Sequence, residues 1–178
     1  DHSRTAGMQG FVFNLRKPLF QNPKVRWAIT NGLDFEWSNK ALFHGMYKRT
    51  RSFFDNSELA ATGQPEGEEK DILERLKDNL PPEVLTTSYA PPKTDGSGNM
   101  RKNLRNATRL LKEAGWKIDG KTRKLVHAKT GQPFTFEILL VSPLFERIVL
   151  PFSKNLKRLG IDVTVRTVDT AQYRQRLT

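Results

Sequence analysis

Between Phe134 and Val168 the hydrophobic period of the sequence changes twice, and this limits the possible folds more than any other feature. Phe134–Val141 is a run rich in β-formers. Ser142-Pro143 then supplies a helix cap and a first-turn proline, whose missing N–H is harmless there. Ile148, Phe152, Leu156 and Leu159 follow at helical spacing and predict a buried face, and Gly160 supplies a stop. Ile161–Val168 returns to period two through Ile161, Val163 and Val165. Strand, helix and strand in so short a span predict a right-handed crossover between parallel strands. Pro151 lies inside the helix and predicts a kink, since an interior proline costs about 3 kcal/mol unless the backbone bends. Asp169 predicts the cap of a last helix holding Tyr173 and Leu177.

The upstream chain adds helices. Phe11–Arg16 alternates Phe11, Phe13 and Leu15 on one face and predicts a strand ended by Pro18. Asn22-Pro23 opens a helix with Val25, Ala28 and Ile29 as its stripe, and Asp34 caps another, Phe35 to about His44, stopped by Gly45. Residues 46–65 carry turn chemistry and predict a long surface loop with Tyr47, Phe53 and Phe54. Glu66–Leu80 predicts an acidic helix striped by Ile72, Leu73, Leu76 and Leu80, and residues 81–100 a second long loop. Asn103 to Ala114 predicts a strong helix through Leu104, Ala107, Leu111 and Ala114, with Gly115 as its stop. Trp116–Ile118 and Lys124–His127 predict a hairpin around Asp119-Gly120, and Thr130-Gly131 a second turn. The fold class that follows is α/β (mixed α+β), a central mixed sheet flanked by helices, in one domain over residues 1–178.

Charge raises one function class, and the lack of motifs removes several. The 178 residues carry a net +11, unevenly spread. Residues 1–56 hold nine basic and four acidic groups, residues 57–99 four and nine, and residues 100–178 seventeen and six. Such a balance raises nucleic acid or an anionic surface as partners. The basic residues are spread over helices rather than gathered in one arm, which favours an ordinary solvated face. Phe11–Arg16 could present aromatics to RNA, but its alternation is the pattern of core. Lys121–Lys129 is basic without stacking aromatics. A basic nucleic-acid-binding domain is therefore the alternative reading, and no nucleic acid is expected as partner.

The absence of cysteine excludes disulfides, thiolate metal sites and thiol nucleophiles. His2, His44 and His127 have no second ligand at metal spacing, so no metal is expected. Gly96-Ser97-Gly98 is not a phosphate loop, since no strand is predicted directly before it. No nucleophile elbow occurs, and Glu68-Glu69 sits on a charged helix with nothing to desolvate it. No catalytic residue is assigned, no cofactor is implied, and the chain is not expected to be an enzyme. No run approaches the roughly 18 apolar residues of a membrane span. No secretory signal stands at Asp1–Thr5, and a chain beginning at Asp1 reads as processed or excised.

Three blocks carry a resemblance. The first is Phe13-Asn14, Pro18-Leu19-Phe20, Pro23-x-Val25-Arg26-x-Ala28 and Asp34. The second is Ala107-x-x-Leu110-Leu111-x-x-Ala114-Gly115-Trp116. The third is Leu156-x-x-Leu159-Gly160-Ile161-x-Val163 with Asp169-x-x-x-Tyr173. In this order they resemble the second lobe of family 5 extracellular solute-binding proteins, the dipeptide- and oligopeptide-binding class. Tyr47–Phe54 and Ser142–Arg147 look most similar to the microcin C-like and oligopeptide subgroup.

The resemblance implies a periplasmic-binding-protein type II-like lobe. It implies the binding component of an ABC importer in the periplasm of a Gram-negative bacterium. The expected partners are a peptide or peptide-like ligand, an inner-membrane permease and the first lobe of the same parent chain. Residues 1–178 would be a single second lobe supplying one wall of a cleft. Candidate ligand contacts are Asn14 and Arg16 on the hinge strand, Arg51 and Phe53 in the loop, and Ser142, Glu146 and Arg147 at a helix start. Helix N-termini attract anions such as a carboxylate, and aromatics beside a guanidinium suit peptides. Each has a plainer alternative: Ser142 as a simple cap, and Phe53 and Phe54 as pins holding the loop to the core.

Overall fold

Helices fill the first part of the chain, and strands enter only after Gly115, where the period changes. A computed structural model describes residues 7–177. Eight helices occur among them: α1 (Pro18–Gln21), α2 (Pro23–Thr30), α3 (Phe35–Phe43), α4 (Gly67–Arg75), α5 (Glu83–Thr86), α6 (Arg101–Glu113), α7 (Glu146–Arg158) and α8 (Thr170–Leu177). The strands are β1 (Trp116–Ile118), β2 (Leu125–His127), β3 (Thr135–Leu140) and β4 (Asp162–Thr167). The chain divides into two units. Among the described residues, one takes 7–11 together with Lys48–Pro91, and the other takes Val12–Tyr47 together with 92–177.

The larger unit holds the core. β3 and β4 pair in parallel from Thr135↔Asp162 to Leu140↔Thr167, with α7 as the crossover between them. β1 and β2 pair antiparallel, Trp116↔His127 to Ile118↔Leu125. Both orientations expected of a mixed sheet are present, as two separate two-stranded ladders. They are tied together at Phe134 and Gly160. The Phe134 amide donates to the Leu125 carbonyl (2.8 Å), the Asp162 amide to the Phe134 carbonyl (3.0 Å), and the Leu125 amide to the Gly160 carbonyl (2.7 Å).

Against this platform pack Val25, Ala28 and Ile29 of α2, Leu104, Ala107 and Leu111 of α6, and Val149, Phe152 and Leu156 of α7. Val149, rather than the expected Ile148, lies on the buried face of α7: Val149 is fully buried and Ile148 only partly. Polar bonds fix the helix positions. Asn155 Nδ2 donates to the Gly32 carbonyl (3.0 Å), and Lys24 Nζ meets Glu113 Oε2 at 2.8 Å. Lys24 and Arg109 together hold the Glu113 carboxyl below the ordinary glutamate value. The expected caps form: Asn22 Oδ1 accepts from the Lys24 amide, Asp34 Oδ1 from Trp37, and Asp169 Oδ1 from Gln172.

The expected strand Phe11–Arg16 is absent. Residues 11–16 belong to neither ladder, and Asn14 Oδ1 accepts the Arg16 amide at 3.1 Å, a local turn that competes with any ladder. Pro18 does not end a strand but opens α1, at the first helical position its ring favours. Leu15 is exposed, Phe11 marginally so, and Phe13 is partly buried beside Phe20 (5.4 Å between rings).

In the smaller unit the acidic helix is shorter than Glu66–Leu80. α4 stops at Arg75, and a 3-10 turn covers Lys77–Asn79. None of its apolar stripe is buried, and Ile72 and Leu76 are exposed. Residues 81–100 are not wholly loop, because Glu83–Thr86 forms the single turn α5 after Pro81-Pro82. Among residues 48–91 no side chain is buried.

Candidate functional site

Parallel strands end together, and the crevice beyond their carboxyl ends is where α/β sheets commonly place ligands. Here β3 ends at Leu140 and β4 at Thr167, with the Val168 amide donating to the Leu140 carbonyl at 2.9 Å. The chain leaves β3 through Ser142, which is extended and accepts the Leu144 amide on its Oγ (3.3 Å). Pro143–Phe145 forms one 3-10 turn before α7 begins at Glu146. Ser142 is thus the plain cap of that turn. Ser142→Ala is expected to cost about 0.5–1 kcal/mol, the low end of the range for caps, read as a fall in thermal stability.

Glu146 and Arg147 are neighbours with different roles. Glu146 Oε1 accepts the Thr167 hydroxyl at 2.6 Å, tying the start of α7 to the end of β4. Arg147 places its guanidinium 4.7 Å above the centroid of Phe43, at the end of α3. Phe43 in turn meets Tyr47 edge-on, 4.8 Å between centroids. Asn39 clamps the Tyr47 backbone, donating from Nδ2 to its carbonyl (2.6 Å) and accepting its amide on Oδ1 (3.0 Å). His44 and Gly45, both at positive φ, turn the chain so that Tyr47 comes back over Phe43. A guanidinium stacked on a ring keeps its N–H edges available, and those edges match a carboxylate two at a time. Among the described residues no acceptor meets the Arg147 guanidinium or the Tyr47 hydroxyl. The arrangement presents a fixed cation and a half-exposed phenol, which suits holding a ligand and offers no nucleophile–base pair.

The structure brings Ser142, Glu146 and Arg147 together at this strand end. Asn14 and Arg16 meet each other instead, exposed in a turn where Asn14 Oδ1 also accepts Arg16 Nε at 3.3 Å. Arg51 and Phe53 belong to the smaller unit. There Ser52 Oγ accepts the amides of Phe54 and Ala61, and Phe53 is 76% exposed, so it pins nothing to a core. Phe43, Tyr47 and Thr167 are not among the ligand contacts expected from sequence, although Tyr47 is placed there in the long loop. The usable signal was the spacing of Phe43 and Tyr47 across a left-handed stop. Among the described residues no group of three or more His, Cys, Asp or Glu is placed to hold a metal ion, and no helix is long and apolar enough to cross a membrane.

Comparison with known proteins agrees with this fold. The model of "Bacterial extracellular solute-binding proteins, family 5 Middle" matches residues 1–178. A protein of Agrobacterium fabrum named "Probable peptide-binding protein YejA" is 47% identical over 169 residues, 95% of this chain and 27% of that protein. The "Peptidoglycan-binding protein YepA" of the same organism is 41% identical over 171 residues, 96% of this chain and 27% of that protein. The chain spans about a quarter of the length of the curated relatives it matches. Among solved structures, the oligopeptide-binding protein AppA of Bacillus subtilis superposes with TM-score 0.61 at 24% identity, covering 93% of this chain and 27% of that one. NikA of Brucella suis superposes with TM-score 0.58 at 21% identity, covering 92% and 26%. These two show a shared fold of the type II periplasmic-binding-protein class. The chain belongs to the family 5 bacterial extracellular solute-binding proteins.

Proposed function

We propose that this chain is part of the peptide-binding component of an ABC importer that works in the periplasm. It contributes one wall of a ligand cleft and performs no chemistry. The observation that carries this reading is the 47% identity, over 95% of the chain, to a relative named for peptide binding. The geometry supports it: Arg147, stacked on Phe43 at the ends of the parallel strands, suits the carboxylate of a peptide-like solute. Ser142 and Glu146 hold that corner in shape. Asn14, Arg16, Arg51 and Phe53 remain candidates for further contacts, the first lobe of the parent chain supplies the opposite wall, and a permease is the membrane partner.

The test is calorimetric titration of short peptides into the full-length parent protein and its Arg147→Ala variant. A charge-assisted hydrogen bond contributes about 1.5–3 kcal/mol, so the variant is expected to bind roughly ten- to a hundredfold more weakly. Unchanged affinity would remove Arg147 from the cleft. A parent that binds no peptide at all would overturn the peptide reading itself. Cell-wall peptides belong in the panel, because a 41% identical relative is named for binding peptidoglycan.

A further inference from the structure

Residues 48–91 hold helices α4 and α5 but no interior, since no side chain in this stretch is buried. A stretch this short rarely supplies a core of its own. It is ordinarily held by disulfides, a metal or a partner. The chain has no cysteine. Among the described residues no group of three or more His, Cys, Asp or Glu is placed to hold a metal ion. A partner is what remains.

Helix α4 shows where that partner fits. An isolated helix shorter than about 12–15 residues is marginal in water, and packing of an apolar face is what usually holds one. α4 has nine residues and no side-chain cap. Its local support is weak. Glu68 and Glu69 suit the positive pole of its first turn, and Lys70 and Glu74 form one exposed pair at 3.8 Å. α5 packs against α4 yet leaves one face open. Ile72 and Leu76, one turn apart on that face, are 46% and 47% exposed. Glu68 and Glu69 lie one turn before Ile72 on the same side of the helix. Residues 57–99 as a whole carry nine acidic and four basic groups. The complement of this face is therefore an apolar patch with basic groups at one border.

The chain covers 27% of the relative named for peptide binding, so most of a parent of that length lies outside residues 1–178. A surface of the same chain meets α4 at a high effective concentration, whatever the concentration of the protein, whereas a separate molecule does not. We propose that the Ile72–Leu76 face of α4 is a docking surface for the first lobe of the same parent chain, through an apolar patch whose basic groups face Glu68 and Glu69. This docking rests on the two-lobed parent proposed above and is independent of which solute binds.

The test uses the full-length parent protein. A photoreactive benzophenone side chain replaces Ile72 in one sample and Leu76 in another, and the cross-linked residues are identified by mass spectrometry. The expected result is a cross-link within one molecule, from either position to the first lobe. A cross-link to a second copy, a cross-link only to other parts of the same chain, or none from either position would overturn the docking. Hydrogen exchange gives a second measurement. The α4 amides are expected to be protected, and Ile72→Asp with Leu76→Asp is expected to lower that protection at least tenfold. The amides of α6 are expected to keep theirs, which reports an intact larger unit. Unchanged protection of α4 in the double variant would also overturn the docking. Peptide titration of the unsubstituted protein separates the two readings: a parent that binds no peptide but gives the first-lobe cross-link loses the peptide reading and keeps the docking.

Discussion

Gly160→Ala is expected to release the β1–β2 hairpin from the end of α7 and to destabilise that junction by about 3 kcal/mol. Gly160 has a φ of +79°, where a side chain costs about 1–2 kcal/mol on backbone grounds alone. Space is also missing. A β-carbon there would lie 2.7 Å from the Leu125 amide nitrogen and 3.1 Å from the Arg123 carbonyl oxygen, both backbone atoms that cannot swing aside. To make room, the Leu125 amide must leave the Gly160 carbonyl, at about a further 1 kcal/mol or more for a buried bond. Hydrogen exchange over residues 116–127 in the full-length protein reads the effect directly. Since about 1.4 kcal/mol is tenfold, protection there is expected to fall roughly a hundredfold. Unchanged protection would show that the latch carries no stability.

Phe134→Ala is expected to cost more, about 3–5 kcal/mol, the range for emptying a buried aromatic site. Phe134 is 1% exposed. Its ring lies 4.4 Å from that of Trp116 in β1 and 6.2 Å from that of Phe136 in β3. Its backbone bonds to Leu125 on one side and Asp162 on the other hold the two ladders in place. The rings cannot close over the gap without moving those strands, so little relaxation is available. The measurement is the thermal midpoint of the full-length protein with tryptophan fluorescence as the probe. A fall within the error of wild type would mean that the hairpin packs independently of the parallel pair.

Both positions were legible in the sequence as structure, Gly160 as a helix stop and Phe134 as the start of a strand. The reason is local. The 116–168 stretch pairs with itself, so its periods, caps and turns decide its fold without outside help. The helices α2 and α6 were legible from their own apolar stripes, although those stripes meet in one core across a long separation in sequence. Phe11–Arg16 failed because alternation specifies a face and not a partner. Where no described strand lies alongside, Asn14 takes the Arg16 amide and the segment turns. The stripe of α4 failed in the opposite way: the helix forms, but none of its stripe is buried. The site was half legible. Ser142, Glu146 and Arg147 followed from a cap and a resemblance, but Phe43 meets Arg147 only through a tertiary contact that no local pattern encodes, with Tyr47 joining through Phe43.

The core that joins α2 to α6 is built from two stretches of chain with residues 48–91 between them. Its closure is insensitive to how long that intervening stretch is. Doubling a connecting segment raises the entropic cost of closure by only about 0.6 kcal/mol. Because none of residues 48–91 is buried, changes in length or composition there leave the α2–α6 core intact. That makes this stretch open to engineered insertion away from Arg51, Phe53, Ile72 and Leu76, while the framework that carries Arg147 stays fixed.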